Sequence, residues 1–191
     1  MEAMWMLCLP TINKADELIL NNRIGAIKNI NINHFKNQNT DKGILDDFGV
    51  YAIHFALHYM NSFPKKIHAD VKRNQLGVDK EWYIKLEDKF VITINLSNIK
   101  HGNSLATIYG TNGKIEFTSP FNRTNNLNLY DLSNKLVKSY NYKYSNQGFE
   151  FQIKEVENSL KFNYEQSSVI PHKCSLDAAK LVQFLKINYL N

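Results

Sequence analysis

Apolar positions follow one period near the two ends of the chain and another through its middle. After Pro10, residues Ile12, Ala15, Leu18 and Ile19 recur at helical spacing, which predicts a short amphipathic helix over Thr11–Asn22. Asn21, Asn22 and Gly25 end it. From Ile27 to His34 the pattern alternates, with Ile30 and Ile32 on one face and Asn29, Asn31 and Asn33 on the other, as in a half-buried strand. Lys36–Lys42 has no periodicity and is expected to be a mobile loop. Asp46–Asn61 carries the strongest helical pattern, with Val50, Ile53, Leu57 and Met60 as a core stripe and two Asp residues at the positive end. On its other side Asp47, Tyr51, His54 and His58 fall at i, i+4, i+7 and i+11.

From Lys66 onward the pattern turns to strands: Lys66–Val71, Glu81–Glu87, Phe90–Leu96, Ser104–Tyr109, Lys114–Thr118, Leu127–Leu132 and Lys135–Tyr144. Asp88-Lys89 and Thr111-Asn112-Gly113 read as tight turns, and such short connections imply antiparallel neighbours. A helix follows with Phe149, Ile153, Val156 and Leu160 on one stripe, then a linker over Glu165–Lys173 containing Pro171, then a second helix from Ser175 to about Tyr189. Helices, a run of strands and helices again predict an α+β fold: an open, mainly antiparallel sheet with its helices packed on one face. The other face is left over, and a bare face bearing Tyr, Phe and Ile is expected to find a partner.

With 191 residues and 43% hydrophobic content, the chain suits a single domain over 1–191. No apolar run reaches the length of a membrane span, and Met1–Pro10 lacks the features of a signal peptide, so a cytoplasmic, membrane-free protein is expected. Cys8 and Cys174 are too few and too far apart for a disulfide framework or a zinc site and are expected to be free thiols. The net charge of +5 invites a nucleic-acid reading. Only Arg23, Arg73 and Arg123 are arginines, however, and the lysines are scattered, so no nucleic-acid partner is expected.

Several chemistries are excluded. The eight glycines include no pair separated by one residue, which removes the G-x-G-x-x-G dinucleotide loop, and neither a Walker A nor a G-x-S-x-G sequence occurs. His54 and His58 stand at a zinc-clamping spacing, but position 55 is Phe, not the glutamate of H-E-x-x-H, and no metal site is assigned there. Asp47 and Tyr51 remain as candidates, because a tyrosine one turn from a carboxylate can pass a proton to a developing alkoxide.

Four stretches read together are more specific. Glu2-Ala3-Met4-Trp5-Met6-Leu7-Cys8-Leu9-Pro10 resembles the E-A-M-W-T-R-F-L-P segment of the Gfo/Idh/MocA oxidoreductases, in particular the branch of dimeric dihydrodiol dehydrogenases and NADP-dependent xylose dehydrogenases. Gly43–Tyr51 resembles that branch's G-A-L-L-D-I-G-V-Y, and Ala106–Ile115 its A-T-I-Y-G-T-K-G-R-I hairpin; Gly148-Phe149-Glu150-Phe151 is similar to its G-F-E-Y. The resemblance runs along essentially the whole chain in the same order.

What the resemblance implies is the C-terminal, substrate-side and dimerisation half of a dehydrogenase. The family's Rossmann domain and the Glu-Lys-Pro segment with its catalytic lysine have no counterpart in this sequence. The resemblance maps Asp47 and Tyr51 as catalytic residues, Tyr51 passing the proton and Asp47 orienting it, and Trp5 and Phe149 as substrate-pocket walls. It further implies NAD or NADP in the intact family but no cofactor held by this chain alone, a sugar or dihydrodiol substrate, a separate Rossmann domain as a possible partner, and a homodimer through the open sheet. Leu7 and Cys8 stand where the family has Arg and Phe, Gln166 where Glu is common and Cys174 where Asp is frequent. The Leu7 departure keeps a second expectation open, an orphaned dimeric interaction module without catalytic activity.

Overall fold

The computed structural model describes residues 1–36 and 42–190. Of the loop expected over Lys36–Lys42, positions 37–41 lie outside those residues. The elements run α1 (Pro10–Leu20), β1 (Ile27–Phe35), α2 (Val50–Met60), β2 (Lys66–Arg73), β3 (Asp79–Glu87), β4 (Val91–Ser97), β5 (Ala106–Gly110), β6 (Gly113–Phe117), β7 (Asn126–Asp131), β8 (Leu136–Asn141), α3 (Phe149–Lys161) and α4 (His172–Leu185). A 3-10 turn at Trp5–Cys8 precedes α1, one π turn at Leu45–Gly49 leads into α2, and another 3-10 turn covers Phe121–Arg123. No helix of the described residues is long and apolar enough to cross a membrane. Cys8 and Cys174 are both free.

Among the described residues, eight strands form one sheet in the order β2-β3-β4-β1-β5-β6-β7-β8. Every neighbouring pair is antiparallel except β1 with β4, which run parallel with Ile30 opposite Ile92 and Ile32 opposite Ile94. Short turns gave no sign of this pair, because the strands are joined through α2 and the β2-β3 meander and not through a hairpin.

The alternation in each strand sorts the sheet into two faces. Ile30, Ile32, Ile84, Leu86, Ile92, Ile94, Ile108 and Ile115 are buried under the helices in one cluster with Ile12, Leu18, Phe55 and Leu181. The uncovered face is mixed: Phe35, Tyr83, Tyr109 and Tyr130 stand on it, as expected, among Asn, Thr and Lys residues. Thr93 Oγ1 donates to Asn31 Oδ1 at 2.9 Å and Asn95 Nδ2 donates to Asn33 Oδ1 at 2.9 Å, so Asn and Thr bridge the parallel pair side to side. Lys85 and Glu116 stand on that same face, opposite Thr93 and Thr107.

α3 departs from the usual outcome of an amphipathic pattern. Its stripe of Phe149, Ile153, Val156 and Leu160 is between 38 and 73% exposed, and none of its residues is fully buried. The helix is held by its opposite side, where the Phe151 ring meets the Tyr144 ring at 5.3 Å and Glu155 accepts a hydrogen bond from Ser167 Oγ at 2.6 Å. An apolar stripe of this length facing water is a surface built to be covered.

The start of α2 is tied to the sheet by one buried carboxylate. Asp79 Oδ2 accepts the Trp82 indole N–H at 2.7 Å and the Leu45 backbone N–H at 3.0 Å, linking the first residues of β3 to the π turn. Removing it leaves two buried donors without an acceptor. Asp79→Ala is therefore expected to lower the unfolding free energy by about 3 kcal/mol, measured by urea denaturation. A loss below about 1 kcal/mol would show that the tie does not hold the turn.

Candidate functional site

A hollow of about 470 Å³ opens where the end of β1, the π turn before α2, the Phe121–Arg123 turn and the start of α3 converge. Its wall includes Trp5, Asp47, Tyr51 and Phe149, so all four residues singled out in the sequence stand around one space. The E-A-M-W segment is close to α3 because Gly148, with φ of +101°, turns the chain where a Cβ would stand 2.6 Å from Leu9 Cδ2. The Trp5 and Phe149 rings lie 4.8 Å apart.

Trp5 is buried, and its indole N–H donates to Tyr51 Oη at 3.3 Å. That bond occupies one lone pair of the phenol and leaves its proton free to turn elsewhere. The same donation stabilises a phenolate once the proton has left. Asp47 is exposed at the rim and pairs with Lys36, Nζ to Oδ2, at 3.5 Å. The rest of the predicted polar side of α2 is dispersed among other neighbours. His54 Nε2 lies 3.3 Å from Glu2 in a separate hollow between α2 and α4, and His58 Nε2 lies 3.0 Å from Asp16 of α1. Among the described residues, no group of three or more His, Cys, Asp and Glu is placed to hold a metal ion.

Two lining residues were not found from the sequence. His34 ends the apolar row of β1, and its ring is 5% exposed, with edge contacts to Phe48 at 4.8 Å, Phe121 at 5.0 Å and Tyr51 at 6.3 Å. Its Nδ1 has no hydrogen-bond partner among the described residues. The available signal was a histidine in the slot where the strand's alternation calls for an apolar residue. Arg123 projects from the 3-10 turn between buried Phe121 and buried Thr124 and gave no pattern at all.

The departures from the resembled pattern sit away from this wall. Leu7 is fully buried in the core, and burial pushes the Cys8 thiol up to about 12, leaving it unreactive. Gln166 Oε1 accepts the His172 N–H at 2.9 Å and so serves the first turn of α4. The described residues hold no glycine-paired turn leading from a strand into a helix.

Residues 12–116 match the family described as the GFO/IDH/MocA C-terminal domain. No curated protein matches the chain. Among solved structures, an oxidoreductase from Sinorhizobium meliloti is similar at 16% identity and a TM-score of 0.77, over 96% of this chain and 59% of that one. A mutant of KijD10, a 3-ketoreductase from Actinomadura kijaniata in complex with TDP-benzene and NADP, is similar at 14% identity and a TM-score of 0.80, over 99% of this chain and 60% of that one. An aldose-aldose oxidoreductase from Caulobacter crescentus, complexed with glycerol, is similar at 13% identity and a TM-score of 0.76, over 92% of this chain and 57% of that one. At such identities the likeness is one of fold, and the chain spans between 57 and 60% of the length of these three proteins.

His34 gives the site a pH signature. Burial pushes its imidazole down from 6.5 to about 4, and the Lys36 charge adds to this while the Phe48 carbonyl and Asp47 work against it. Below pH 6.5 the unfolded chain takes up a proton that the folded chain refuses, so stability falls as pH falls toward 4. The expected loss between pH 7 and pH 5 is about 2 kcal/mol, and burial of His54 adds in the same direction. Denaturant titrations at the two pH values measure it; His34→Phe should remove most of the difference, and an unchanged difference would contradict the assignment.

Proposed function

Given that the chain belongs to the GFO/IDH/MocA family as its C-terminal domain, we propose that it is the substrate-side half of an NAD(P)-dependent oxidoreductase acting on a carbinol or carbonyl carbon of a sugar or dihydrodiol. The observation that carries this reading is the hydrogen bond from the Trp5 indole to Tyr51 Oη at the wall of the hollow. Tyr51 gives its free proton to a carbonyl oxygen in reduction and takes the hydroxyl proton in oxidation, with the Trp5 N–H steadying the phenolate in between. Asp47, paired to Lys36 at the rim, orients the polar end of the substrate. Trp5 and Phe149 supply the apolar wall against which the carbon skeleton lies. The nicotinamide supplies the hydride chemistry when bound, and it comes with a Rossmann domain that this sequence does not contain.

The exposed stripe of α3 supports that division of labour. It begins at Phe149, inside the hollow, and continues outward through Ile153, Val156 and Leu160. We place the cofactor-bearing domain against it, so that its reactive ring meets the substrate beside Tyr51. The uncovered sheet face, where Tyr83, Tyr109 and Tyr130 stand among Asn and Thr rows, is the surface we assign to a homodimer. The segments resembled support a substrate in the dihydrodiol or xylose range. A second reading, a dimeric interaction module without chemistry, is favoured by Leu7, whose burial removes the charged side chain that the resembled segment carries there.

Complementation separates the two. Adding a Rossmann domain of the family with its catalytic lysine is expected to restore oxidation of an aldose or a trans-dihydrodiol, while the chain alone turns over neither. Tyr51→Phe should lower the restored rate by roughly 100-fold or more. Ile153→Glu together with Leu160→Glu should prevent restoration without lowering the chain's own melting temperature, since both positions are exposed. Restoration indifferent to Tyr51→Phe would refute the proton-transfer role, and no restoration under any condition would favour the interaction module.

A further inference from the structure

Resting on the substrate-pocket reading above, we infer that the hollow takes an acidic sugar, one bearing a carboxylate or phosphate, and that Arg123 is the residue that selects it. Among the described residues, the charged groups facing the hollow are Lys36, Asp47 and Arg123. Lys36 and Asp47 pair with each other at 3.5 Å, and Lys36 also lies 5.8 Å above the Phe48 ring, so these two charges largely cancel. The Arg123 guanidinium has no carboxylate partner and no side-chain hydrogen bond among the described residues, and His34 is neutral at pH 7. Among the described residues one positive charge is left uncompensated, and a neutral sugar or diol would leave it so.

The backbone that carries this charge is fixed on both sides. The Phe121 N–H donates to the Ser104 carbonyl at 2.8 Å, and the Arg123 N–H donates to the Pro120 carbonyl at 3.0 Å. The Thr124 carbonyl accepts from Tyr144 Oη at 2.7 Å and from Thr11 Oγ1 at 3.3 Å, and the Phe121 and Thr124 side chains are buried. A planar guanidinium on a rigid turn loses less freedom when it clamps an anion than one on a loose loop does. Its fork matches two oxygens of a carboxylate or phosphate at once. Arg123 is one of three arginines among 23 basic residues, and neither of the other two faces this space.

The remaining polar groups suit the rest of such a ligand. The Asn122 side chain has no hydrogen-bond partner among the described residues, so its amide is available to a hydroxyl. The acidic group then sits at the exposed rim on Arg123, and the hydroxylated carbons extend inward toward Tyr51.

The test is a titration of the isotope-labelled chain with glucuronate, glucose 6-phosphate and glucose, following the Trp5 indole N–H by NMR. Trp82 is the only other tryptophan, and its indole is tied to Asp79 away from the hollow, so the two signals report separately. The acidic sugars are expected to shift the Trp5 signal with dissociation constants at least about tenfold below that of glucose. R123Q should erase that preference while leaving glucose binding and the melting temperature unchanged, and K36Q should reduce it less. Equal binding of glucose, or a preference that survives R123Q, would overturn the acidic-sugar assignment while the pocket itself stands. No shift of Trp5 with any of the three would overturn both.

Discussion

The parallel pairing of β1 with β4 is the constraint on which the rest of the domain depends. Two parallel strands cannot be joined by a hairpin, so the chain leaving β1 must pass back over the sheet before it re-enters beside it. That return is the π turn, α2 and the β2-β3 meander, and α2 packs in one buried cluster with Ile30, Ile32 and Ile94. The end of β1, the start of α2 and the Phe121 turn converge at the hollow. Asp79 fixes the geometry from below by holding both the Leu45 N–H and the Trp82 indole.

The chemistry of the hollow comes from what each element delivers to it. α2 supplies Tyr51, the first turn supplies Trp5, and the two meet in one hydrogen bond although they are 46 positions apart in the chain. β1 supplies His34, kept neutral by burial, and the Phe121 turn supplies Arg123, held outward by the anchors beside it. α3 closes one side with Phe149 and then turns an apolar stripe to solvent. The site is thus polar inside, apolar along one rim and continuous with the exposed stripe of α3.

Most strands and helices were legible because their apolar residues repeat with a local period. The Ile and Asn alternation of β1 placed each face correctly, and Pro10 marked the start of α1. The β1–β4 pair was not legible, because register between strands about 60 residues apart leaves no local trace. The α3 stripe was legible as a helix but not as a surface: periodicity records which residues seek burial, and not whether this chain provides it. Asp47, Tyr51, Trp5 and Phe149 were picked out through resemblance and stand around one hollow. His34 and Arg123 were missed because a lone histidine on an apolar face and a lone arginine in a turn are ordinary at the level of sequence, and only the arrangement of the fold gives them a setting.

The central claim, that this chain supplies the substrate side of the reaction and leaves the dinucleotide to another domain, is tested most directly by calorimetric titration of the purified chain with NADPH and with NADH. The account predicts no heat beyond dilution for either. Binding with a dissociation constant on the order of micromolar would contradict it, since it would require a nucleotide site within these residues.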